Sequence, residues 1–125
     1  MRLPTLPLVL CVALAAAEPP EAAALALTEA LLVLDWAQSR NLTWVRYEGP
    51  YAVKTTYTAR ETNPILGPRP SRRAVNCYFT SVLIAVPLIT MALPPRYRPL
   101  FLGTVITLEV LCTSQNRALG LKARF

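Results

Sequence analysis

The side chains able to do chemistry in this chain are few, and all of them are carboxylates or amides: Asp35, Gln38, Glu61, Asn63, Glu109 and Asn116, with Glu29 and Thr113 beside them. Such groups offer oxygen ligands to a hard cation, sites for proton exchange, or hydrogen bonds between packed helices. The chain has no histidine. That removes the commonest general base, the commonest zinc ligand and every Ser-His or Cys-His pair. Cys11, Cys77 and Cys112 are far apart and form no CxxC, so they read as small apolar side chains and not as a metal clamp or a disulfide framework. The expectation is a protein that is not an enzyme and needs no cofactor and no metal.

Spacing gives these groups faces. Glu109, Thr113 and Asn116 stand at i, i+4 and i+7, and Asp35 and Gln38 at i and i+3, so each set shares one side of a helix. An ionisable group inside a bilayer must pair, face water or lose its charge, which makes Asp35 and Glu109 functional candidates. The same side chains, bonding across helices, would equally hold a bundle together, at ~0.6 kcal/mol on average per contact. Were Asp35, Glu61 and Glu109 to converge, they could grip a cation through oxygens.

The elements that position them are apolar. Of 125 residues, 54% are hydrophobic and 16% charged, more apolar material than a soluble domain of this size hides comfortably. Residues 1–17 have Arg2, an apolar run and small residues at Ala15 and Ala17 before Glu18, the pattern of a signal peptide, cleaved or retained as a signal anchor. The remainder, 18–125, reads as one membrane domain. Helices are expected near 22–39, 75–93 and 100–117, around a polar loop over 40–74. "VNCYFTSVLIAVPLITMAL" has no charge at all and is the clearest span; Pro87 is expected to kink it without breaking it. "YAVKTTYTAR" alternates, so the loop admits a short hairpin or an extended piece.

Charge placement sets orientation. Lys and Arg number 13 against 7 Asp and Glu. Arg40, Arg46, Lys54, Arg60, Arg69, Arg72 and Arg73 lie in the loop, and Arg117, Lys122 and Arg124 in the tail, while the "PPRYRP" turn holds only Arg96 and Arg98. The excess places loop and tail in the cytoplasm, with anionic lipid headgroups as partners for the basic residues. A nucleic-acid binder would show a basic stripe among exposed aromatics, so nucleic acid is not an expected partner.

"DWAQSR" at 35–40, "ETNPILG" at 61–67, "VNCYF" at 75–79, "ALPPRYRPL" at 92–100 and "NRALGL" at 116–121 give the chain a pattern that resembles a group of short proteobacterial membrane proteins of unknown function, some of them carried on phage or prophage genomes. The resemblance spans about Leu31 to Phe125 and implies an architecture without a reaction. The long loop "NLTWVRYEGPYAVKTTYTA" and the N-terminal signal depart from that group.

The reading is therefore an all-α fold, a small polytopic membrane helix bundle of about three transmembrane helices with an irregular cytoplasmic loop. It would be multi-pass in the bacterial inner membrane, with its C-terminus cytoplasmic and the lipid bilayer around it. A structural or partner-binding role comes first, with a homo-oligomer or another protein as partner. A holin-like lysis protein and a carboxylate-based membrane enzyme or ion pathway are the alternatives.

Overall fold

The computed structural model describes residues 5–41, 43–48, 52–57, 63–67, 70–123 and 125. Four helices and one β-hairpin follow in the order α1 (Thr5–Ala16), α2 (Pro19–Ser39), β1 (Thr43–Glu48), β2 (Ala52–Tyr57), α3 (Arg72–Ala92) and α4 (Arg98–Ala118), with a 3-10 turn at Pro95–Tyr97 leading into α4.

Local chemistry fixes the helix ends. Pro19 and Pro20 occupy the first turn of α2, where a missing N–H costs nothing. Ser71 caps α3, its Oγ accepting from the Ala74 N–H at 3.1 Å. At the end of α4 the Leu121 N–H bonds the Asn116 carbonyl and the Gly120 N–H that of Arg117, with Gly120 at φ 77°. This closure requires a left-handed residue, which glycine supplies without steric cost, and it turns Leu121 back into the bundle, 6% exposed.

Helices α2 and α4 form the main seam. Glu21, Leu25, Thr28, Leu32, Asp35 and Ser39 alternate spacings of four and three, the period that keeps one face of a helix on its neighbour. Leu25, Thr28 and Leu32 are 0 to 1% exposed. The two helices run parallel, since Arg98 Nη1 meets Glu21 Oε1 at 3.2 Å at their beginnings and Asn116 Nδ2 meets Asp35 Oδ1 at 2.6 Å near their ends. Helix α3 returns between them in sequence and buries the stripe Val75, Phe79, Leu83, Val86 and Thr90. Helix α1 lies mainly along α3, placing Ala13 in the shared core with Leu25, Leu32, Phe79 and Leu102. Pro87 is buried inside α3, which continues through it although Leu83 loses its i+4 donor.

Two expectations change. The loop is not wholly irregular, because β1 pairs antiparallel with β2 from Thr43↔Tyr57 to Glu48↔Ala52. Both strands are rich in Thr, Val, Tyr and Trp, which favour the pleated conformation. The count of spans also differs: among the described residues only Arg72–Ala92 is long and apolar enough to cross a membrane by composition, and only a third of its apolar window is buried. Helices α2 and α4 are each 21 residues long, but they carry Glu21, Glu29 and Asp35, and Arg98, Glu109 and Arg117.

Candidate functional site

Near the ends of α2 and α4, next to the start of α3, the polar side chains gather. Asp35 is 8% exposed; its Oδ1 accepts from Asn116 Nδ2 at 2.6 Å and from Ser39 Oγ at 3.3 Å. Its carboxyl and that of Glu109 line the same pocket, close enough for their charges to repel. Two carboxyls so placed favour a proton or a cation near them. Glu109 Oε2 is buried and has no hydrogen-bond partner. Gln38 lies alongside, donating from Nε2 to the Thr113 carbonyl at 3.5 Å, and its Oε1 is likewise buried without a partner.

The NPILG turn closes one side. Asn63 Oδ1 accepts from the Ile65 N–H at 2.9 Å, the Asn63 carbonyl accepts from the Gly67 N–H at 3.0 Å, and Gly67 adopts φ 74° to complete the reversal. Asn63 and Tyr78 of α3 face the same pocket. Together these pieces border a partly open cavity of about 300 Å³, lined among the described residues by Asp35 and Ser39 from α2, Asn63, Pro64 and Leu66 from the turn, Tyr78 and Phe79 from α3, and Leu108, Glu109, Cys112, Gln115 and Asn116 from α4.

An aromatic group backs it. The Trp36 ring stacks on Phe79 at 6.4 Å and 9°, meets Phe125 edge-on at 5.3 Å, and donates from Nε1 to Asn76 Oδ1 at 2.9 Å. The Arg40 guanidinium stands 5.2 Å over the Phe125 ring. Asn41 Nδ2 donates to the carbonyls of Ala37 and Lys122, both at 2.7 Å, which ties the C-terminal tail to the end of α2.

Of the six residues singled out from the sequence, Asp35, Asn63, Glu109 and Asn116 line this cavity, and Gln38 packs beside it against Thr113. Glu61 lies outside the described residues. No protein-family model, curated protein or solved structure matches this chain. Sequence reasoning missed Asn41, Asn76 and Tyr78, because their roles depend on partners 40 to 81 positions away or on the packing of the turn. Asn76 left one signal, an amide at the start of an otherwise apolar helix. Among the described residues no group of three or more His, Cys, Asp and Glu could hold a metal ion.

Proposed function

We propose that this chain is a small integral membrane protein with a structural or partner-binding role, in which α2, α3 and α4 all cross the bilayer and the polar cluster around Asp35 fastens loop and tail to the bundle. One observation carries the reading: on α2, Thr28, Glu29, Asp35, Gln38 and Ser39 are buried while Leu27, Val33 and Leu34 are exposed, and on α4 Leu108, Val110 and Leu111 are exposed as well. In water this distribution would leave apolar faces unpartnered and bury polar groups at a cost. Against lipid tails it is the favourable one.

The hydroxyls agree with it. Thr28, Ser81, Thr90, Thr104, Thr107 and Thr113 each donate to the carbonyl four residues earlier at 2.7–2.8 Å, so these six hydroxyl donors need no water. Parallel α2 and α4 put the Pro95–Tyr97 turn at one end and the loop and tail at the other. The basic excess then assigns loop and tail to the cytoplasm of a bacterial inner membrane, with Trp36 and Arg40 at the boundary. Residues 1–17 act as the signal that starts insertion.

The test is expression in a bacterial host, following carbonate-resistant membrane association, N-terminal processing and membrane potential over one time course. A stable, membrane-embedded chain with potential intact is expected. Recovery in the soluble fraction would overturn the bilayer placement, and sudden depolarisation would replace the structural role with holin-like lysis.

A further inference from the structure

The 300 Å³ cavity has features that fastening alone does not require. A lock between helices gains most when every polar atom in it is paired. Here Glu109 Oε2, on the cavity wall, is buried without a partner, and such an orphan acceptor costs free energy unless something donates to it. The space beside it is well above what a bare ion fills and at the small end of ligand pockets. Its walls have two characters. The carboxyls of Asp35 and Glu109 and the amide of Asn116 supply oxygen acceptors, whereas Leu66, Leu108 and the Tyr78 ring supply apolar and π surface.

We propose that this cavity binds a small primary ammonium ion carrying a short apolar body, its –NH₃⁺ donating to Glu109 and to the acceptors beside it, its hydrocarbon lying against Leu66, Leu108 and Tyr78. An ammonium has three donors and no acceptor, which matches the carboxyl-bearing side of the wall. It also places a positive charge where two carboxyls meet, and the neighbouring ring adds cation–π attraction. The site does not depend on the bilayer placement, because the residues that form it are brought together by the fold itself.

Titration calorimetry of the purified full chain in detergent tests this, with n-butylammonium as probe and tetramethylammonium and Na⁺ as comparators. Saturable binding of n-butylammonium is expected, with both comparators ~10-fold weaker or more, since one lacks donors and the other lacks an apolar body. Glu109→Gln should weaken binding ~10-fold or more. Leu66→Trp, which fills the cavity from the turn and replaces no helix residue, should do the same while leaving circular dichroism unchanged. Glu29→Gln, which neutralises a buried carboxyl outside the lining, should leave affinity as it is. The proposal fails if folded protein binds no n-butylammonium, if Na⁺ binds as tightly, or if binding survives Leu66→Trp. Should Glu109→Gln prevent folding, the Leu66→Trp result decides.

Discussion

At the turn end of the bundle α4 is joined to α2 by one ion pair, Arg98 to Glu21 at 3.2 Å, whereas at the loop end the same helices are joined by Asp35 with Asn116 and Ser39, by Gln38 with Thr113 and by Asn41 with the tail. The first fastening is partly exposed, its side chains 20% and 16% accessible; in the second, Asp35, Gln38 and Ser39 are 8%, 5% and 3% accessible. A charge pair that still touches solvent works at the edge of a bundle, where desolvation is incomplete. Deeper in, neutral amides paired with carboxyls satisfy many groups for little charge, and the shape they make leaves a cavity. The same helix pair is thus a clamp at one end and a lined pocket at the other.

The comparison can be broken most severely from outside the seam. Leu111→Lys, on the exposed face of α4, should cost up to ~2.5–3.5 kcal/mol of insertion if that face meets lipid near the bilayer centre, read as loss of membrane-integrated protein. In water the same change would be close to neutral. Next comes the loop end: Asp35→Ala strands the Asn116 amide and the Ser39 hydroxyl, and should lower stability in detergent by about 2 kcal/mol and reduce abundance in cells. At the turn end Arg98→Ala should cost about 1 kcal/mol, and high salt should shrink the difference, which it would not do for Asp35→Ala. Of similar size is Gly120→Ala, at about 1 kcal/mol, because it strains only the last turn of α4; a shift in thermal midpoint measures it.

Much of this organisation is legible in the sequence, for reasons that differ by element. Helices α3 and α4 follow from uncharged or nearly uncharged runs bounded by Ser71 and by the PPRYRP turn; where the pattern predicts 75–93 and 100–117, α3 starts three residues earlier and ends one earlier, at Arg72–Ala92, and α4 gains residues at both ends, at Arg98–Ala118. The i, i+4, i+7 spacing of Glu109, Thr113 and Asn116 does turn one face of α4 toward α2, where Thr113 and Asn116 find Gln38 and Asp35. Pairing of Asp35 with Asn116 across 81 positions was not legible, because helix direction and register are set by the ends of the seam and by no local signal. Strand β1 has little local signal for a related reason: "TWVRYE" alternates only weakly between apolar and polar, and its partner settles it. The role of NPILG as a cavity wall depends on Tyr78 and Glu109 arriving from two other elements.

The central claim is that parallel α2 and α4 carry the turn and the tail to opposite faces of a membrane. It is tested most directly by thiol labelling in intact cells with a membrane-impermeant maleimide, after Cys11, Cys77 and Cys112 are replaced by Ser. Tyr97→Cys, in the exposed turn, should label from outside. Ala123→Cys, in the tail, should label only after the cells are opened. Labelling of both positions before lysis, or of neither, would contradict the account.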